Sequence, residues 1–131
     1  MEQNAICLGW ICFVTGPVAV LCGFHDHRAN HVHVRDNKIL GTVQKPVPDR
    51  NAKAAYLEHY CKQNGIDPID AATIGDRAND LAMLQAAGMG VAFEGKPLLS
   101  AKVATQLNHI DLRGLLYLQG YKERDSVAKK N

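Results

Sequence analysis

Apolar residues fall along this chain in short blocks separated by turn-forming residues, and the period changes from block to block. Ile11 to Thr15 (ICFVT) is a continuous, β-prone apolar run halted by Gly16-Pro17, which predicts a buried strand ending in a turn. His31-Val32-His33-Val34 alternates, Asp36-Asn37 supplies a turn, and Ile39 to Val43 follows, the pattern of a β-hairpin with a wet polar face. From Asp49, an expected N-cap, Ala52, Ala55, Tyr56, Tyr60 and Cys61 recur at helical spacing until Gly65 closes the segment. Ala71 to Ile74 predicts a second buried strand. Gly75 turns that strand into a helix over 78–87, in which Leu81, Met83 and Leu84 are available for packing, and Gly88 ends it. Met89 to Phe93 predicts a further strand, Pro97 opens a helix to about Ala104, and a last short helix covers Leu112 to Leu118. Strands alternating with helices imply an α/β fold, a mostly parallel sheet with right-handed crossovers.

With 131 residues and no linker, the expectation is one domain over 1–121, followed by a polar, frayed tail at 122–131. Apolar content of 47% with 21% charged residues excludes a disordered or fibrous chain. The formal charge of +2 is spread along the sequence, so no nucleic-acid partner is expected. Cys7, Cys12, Cys22 and Cys61 form no CxxC pair, and no cleavable signal pattern precedes them. This points to reduced thiols in a cytoplasmic protein. The uncharged stretch from Ala5 to Phe24 is long enough to cross a bilayer. However, Gly9, Gly16, Pro17 and Gly23 interrupt it, its flank at Glu2 is acidic, and a buried strand, turn and short helix explain the same residues, so no membrane is expected.

The chemistry concentrates in Thr73-Ile74-Gly75-Asp76-Arg77-Ala78-Asn79-Asp80, at the carboxyl end of a predicted strand, where open α/β sheets place their ligands. Two carboxylates four apart at one turn repel each other and need a cation or hydrogen-bond donors. Magnesium suits them, being a hard ion that takes carboxylate oxygens and shares its other positions with phosphate and water. The competing account has Asp76 capping the following helix and Asp80 in solvent.

The run from Asp76 to Leu84, followed by Ala86-Ala87-Gly88-Met89-Gly90-Val91-Ala92-Phe93 and Lys96-Pro97, resembles the fourth motif of phosphoserine phosphatases in the haloacid dehalogenase superfamily, with its downstream strand and helix. His109 to Leu112 and Leu115 to Tyr121 resemble the end of that family. Phe13-Val14-Thr15-Gly16 is similar to its second motif, and the hairpin with the helix bearing Lys53 is similar to the region of its third. The resemblance implies a three-layer α/β/α Rossmann-like sheet carrying a hairpin. It implies Asp76 as a magnesium ligand, Asp80 as a second metal residue that orients the ion or its water, and a small phosphorylated metabolite as ligand. Thr15, Gly16, Lys53 and Asn79 would hold the phosphate, with Asn79 meeting either the phosphate or Lys53.

Phosphatases of this superfamily attack phosphorus with an aspartate placed two residues before a second acid, after an apolar strand. Among the thirteen acids of this chain the only pair two apart is Glu123 and Asp125, in the polar tail. The implied fold therefore lacks its nucleophile strand and its substrate-selecting helical cap, and turnover by the chain alone is not expected, because phosphoryl transfer needs an attacking oxygen. The first dozen residues, a partner chain such as a second copy, or direct closure of the sheet would fill the strand's place. The alternative reading is a non-catalytic interaction or assembly module on the same scaffold. Arg77 stands where the family usually has glycine, positioned to pair with the carboxylates or crowd the metal, and Pro17 removes a backbone donor beside the expected phosphate site. His25, His27, His31 and His33 offer four imidazoles, read as solvated hairpin and loop residues.

Overall fold

The computed structural model describes residues 5–30, 32–43 and 51–125. The chain divides into two compact units, Met1–Lys53 and Ala54–Asn131.

In the first unit, strand β1 (Ala5–Ile11) leads directly into helix α1 (Cys12–Cys22), and the chain returns as β2 (Asp26–Asn30), parallel to β1. This corrects the strand expected over Ile11 to Thr15. The apolar run begins one element earlier, and its second half is helical in spite of Pro17. A continuous apolar block is equally compatible with a buried strand or a buried helix, so periodicity alone does not separate them. Pro17 leaves the Phe13 carbonyl without its intrahelical donor, yet Thr15 and Ala19, one turn apart, are both buried and hold the helix by packing. The helix closes at Gly23, where Phe24 N–H reaches the Ala19 carbonyl at 2.8 Å and Gly23 N–H reaches that of Val20 at 3.3 Å. At 11 residues α1 spans about 16 Å, against about 30 Å of bilayer hydrocarbon. Among the described residues no helix is long and apolar enough to cross a membrane.

The hairpin forms as expected, from β3 (Val32–Arg35) and β4 (Lys38–Val43). Asp36 and Asn37 between them have φ of 50° and 60°, the two positive values that a tight two-residue turn needs. His33 is exposed, and its Nδ1 lies 2.8 Å from Thr42 Oγ1 across the pair. Asp49 and His31 lie outside the described residues. Among those described, no three His, Cys, Asp or Glu residues group as metal ligands.

Helix α2 (Ala52–Gln63) begins in the last two residues of the first unit, runs into the second, and closes where predicted. Gly65 adopts φ 67°, and Ile66 N–H bonds the Cys61 carbonyl at 3.0 Å, a left-handed cap that glycine enters without a Cβ clash. Strands β5 (Ala72–Gly75), β6 (Met89–Phe93) and β7 (Thr105–Leu107) form a parallel sheet in that order. Between β5 and β6 run a 3-10 turn (Ala78–Asp80) and helix α3 (Leu81–Ala86). Val91 and Ala92, successive on β6 and so on opposite faces, are each 0% exposed, hence both faces of the central strand are covered. Leu84, Ala92, Leu99 and Val103 form the core, with Leu81 and Met83 packed against it. Helix α4 occupies only Pro97–Ser100, shorter than predicted, because the chain turns at Ala101 to feed β7, a strand of three residues. Helix α5 (Arg113–Leu118) follows, and the expected tail opens with a 3-10 turn over Glu123–Asp125.

Candidate functional site

Strand β5 delivers Gly75 to the carboxyl edge of the sheet, and the chain bends there through Asp76 and Arg77 before the 3-10 turn begins. Asp80 folds back over this bend. Its Oδ2 accepts hydrogen bonds from the backbone N–H of Asp76 and of Arg77, each at 3.1 Å. Asp80 is 3% exposed, so these bonds stabilise a carboxylate that would otherwise be costly to remove from water. The approach is close enough to demand glycine at 75. A Cβ there would lie 2.6 Å from Cβ, Cγ and Oδ2 of Asp80.

Asp76 faces solvent, as do Arg77 and Asn79. The carbonyl oxygen of Asp76 accepts the Lys96 N–H at 3.4 Å, which ties the loop after β6 to the loop after β5. The two carboxylates thus differ in kind, one presented outward and one turned in upon the backbone. The competing account, in which Asp80 stands in solvent, does not hold for this buried side chain. Beneath them, the Thr73 hydroxyl on β5 is buried and has no hydrogen-bond partner among the described residues.

Of the expected phosphate residues, Asn79 stands at this turn. Thr15 and Gly16 belong to the first unit and lie within α1 rather than in a loop after a strand. Thr15 is 0% exposed, and its Oγ1 lies 3.1 Å from His27 Nδ1 on β2. The His27 N–H in turn bonds Asp26 Oδ1 at 2.7 Å. Lys53, in the first turn of α2, is half-buried. The Thr15 and His27 pairing was invisible in the sequence, since it depends on a parallel strand that carries no apolar pattern.

An all-oxygen set of two carboxylates suits a hard divalent ion that keeps waters and borrows phosphate oxygens. One Asp80 oxygen is engaged by backbone, whereas the Asp76 carboxylate faces solvent. The residues present therefore fit magnesium as part of a site rather than as a complete cage.

Residues 42–110, a span that holds this turn, match the sequence profile of the haloacid dehalogenase-like hydrolases. The chain belongs to that family. It is 34% identical over 122 residues to the phosphoserine phosphatase of Haemophilus influenzae, covering 93% of this chain and 39% of that protein. A structure of a probable phosphoserine phosphatase from Vibrio cholerae superposes with a TM-score of 0.86 at 27% identity, over 90% of this chain and 36% of the other. A phosphoserine phosphatase carrying a phospho-aspartyl intermediate analogue superposes with a TM-score of 0.80 at 33% identity, over 87% of this chain and 55% of its own length. The chain thus spans between about a third and a little over half of these relatives, and the α/β architecture expected from the resemblance is the one that the superpositions show.

Proposed function

We propose that this member of the haloacid dehalogenase-like hydrolases keeps a magnesium- and phosphate-binding half-site of a phosphoserine phosphatase-like phosphomonoester hydrolase, and that it turns over little or no substrate by itself. The observation that carries the reading is the Gly75–Asp80 turn. An exposed Asp76 stands on a backbone pinned by buried Asp80, at the carboxyl end of a parallel strand.

In this reading Asp76 is the metal ligand, and Asp80 positions it by fixing the N–H groups of residues 76 and 77. Magnesium bound there would neutralise charge on a phosphoryl group and orient its oxygens. Asn79 offers an amide to those oxygens from the same turn. Thr15, Gly16 and Lys53 enter as phosphate donors by resemblance, and Thr15 would have to exchange His27 for phosphate to act as one. A phospho-aspartyl relative implies an attacking aspartate, and no aspartate or glutamate pair at the required spacing follows an apolar strand in the 131 residues. A partner chain, a second copy included, that brought a carboxylate beside β5 would complete the chemistry.

The test is a magnesium titration followed by amide shifts, run beside a phosphoserine hydrolysis assay. The amides of residues 75–80 should move at millimolar magnesium, Asp76→Asn should abolish that response, and hydrolysis should stay at background. Hydrolysis that disappears in Asp76→Asn would reveal an unrecognised nucleophile. A turn silent to magnesium favours the non-catalytic module.

A further inference from the structure

Two cations share this turn with the acids, and neither makes an ion pair among the described residues. Arg77 is exposed, and its guanidinium makes no hydrogen bond or ion pair among the described residues, although Asp76 adjoins it and Asp80 follows three residues later. The side chain starts from a fixed point, because the backbone at Arg77 is extended (φ −124°, ψ 161°) and its N–H is held by Asp80 Oδ2. Lys96 is exposed as well, its ammonium makes no ion pair among the described residues, and its backbone N–H touches the Asp76 carbonyl. Of the two alternatives raised by the sequence for Arg77, pairing with the carboxylates is not made among the described residues.

Charge then decides what these groups are for. Asp76, Asp80 and Glu94 place three negative charges at the carboxyl ends of β5 and β6. A divalent ion alone would not offset them, and an arriving phosphoryl dianion would be repelled. With a divalent ion bound, Arg77 and Lys96 would turn the sum to a single positive charge, and losing either would return it to zero. A guanidinium presents several N–H donors in a rigid fork that matches phosphate oxygens, whereas an ammonium acts as a point charge. We propose that Arg77, supported by Lys96, is the anion-binding element of this crevice and takes the phosphoryl group of a small phosphomonoester. The proposal deepens the half-site reading and rests on it for the ligand class.

The experiment titrates the full chain with inorganic phosphate, in chelator and in saturating magnesium, for the unsubstituted protein, Arg77→Gln, Arg77→Lys, Lys96→Gln and Asp76→Asn. Arg77→Gln should weaken phosphate by about tenfold or more, the scale of one charge-assisted contact. Arg77→Lys should recover part of the loss, and Lys96→Gln should lose less. Magnesium affinity in Arg77→Gln should be unchanged or higher, since a repelling charge has gone. Phosphate binding by Arg77→Gln within about twofold of the unsubstituted chain would overturn the proposal, because so small a change is below the worth of such a contact. So would an unsubstituted chain that ignores phosphate at tens of millimolar. If magnesium leaves residues 75–80 unmoved while Arg77→Gln still loses phosphate, the half-site reading fails and the anion role of Arg77 stands.

Discussion

Replacing Asp80 with alanine tests whether the candidate site is built from its buried carboxylate. The side chain is 3% exposed and accepts two backbone N–H groups at 3.1 Å on a single oxygen. Hydrogen bonds to a charged group contribute about 1.5–3 kcal/mol each. Two considerations reduce the sum. Asp76 and Arg77 lie at the surface, so their freed N–H groups can turn to water, and removing the carboxylate also removes the cost of burying it. We expect a net loss of about 2–3 kcal/mol, a large part of the roughly 5–15 kcal/mol typical of a domain. Urea unfolding should show a lower midpoint at unchanged slope. Amide exchange should accelerate at residues 76 and 77 before it does in β6, because the damage is local. Asp80→Asn keeps the shape and one acceptor oxygen without the charge, and should fall between the two proteins. A midpoint shift worth less than about 0.5 kcal/mol, with exchange at 76 and 77 unaltered, would show that Asp80 does not hold the turn.

Gly75→Ala forces a Cβ to within 2.6 Å of three Asp80 atoms and should cost about 1–3 kcal/mol, read as a lower melting temperature; an unchanged melt would mean that the close approach is absent in solution. Cys22 is exposed and Cys61 is buried, so iodoacetamide should modify Cys22 rapidly in the folded protein and Cys61 only on unfolding. Burial, with a smaller contribution from the negative charge of Asp67, raises the Cys61 thiol above its usual range. The folded state then keeps a proton that the unfolded state releases, so stability should fall as pH rises past the unfolded thiol's value of about 8.5, and Cys61→Ala should lose that slope. A flat profile for the unsubstituted chain between neutral and alkaline pH would contradict it.

The elements legible in the sequence are those whose pattern is local. Asp36-Asn37 between alternating residues marked the hairpin turn, and the observed positive φ values are what those residue types tolerate. Met89–Phe93 was readable because a central parallel strand covered on both faces is apolar throughout, and Ala72–Gly75 because it is a short apolar run closed by glycine. Strand β2 (Asp-His-Arg-Ala-Asn) was missed, since its pairing with β1 is non-local and its side chains show no alternation. Strand β7 has three residues, too few for any period, and its place in the sheet is set by pairing with β6. The extent of α1 was hidden behind Pro17, where a local rule against helix lost to the burial of Thr15 and Ala19.

The candidate site shows the same division at the level of single atoms. Spacing placed Asp76 and Asp80 at one turn, but it treated them as equivalent, and their roles separate only by where each oxygen points. A carboxylate that gives up its water must be met by donors, and at this bend the backbone N–H of residues 76 and 77 supply two of them. Meeting them requires Asp80 to pass directly over position 75, which excludes a side chain there. Glycine at 75 and aspartate at 80 are therefore one constraint seen twice. Its consequence is chemical all the same. By turning Asp80 inward the chain leaves Asp76 outward, and with Arg77 and Lys96 making no ion pair among the described residues the turn can hold opposite charges side by side without their cancelling each other. A surface that only needed to be soluble would gain by letting Arg77 and Asp76 pair; keeping them apart is useful when a cation and an anion are still to arrive.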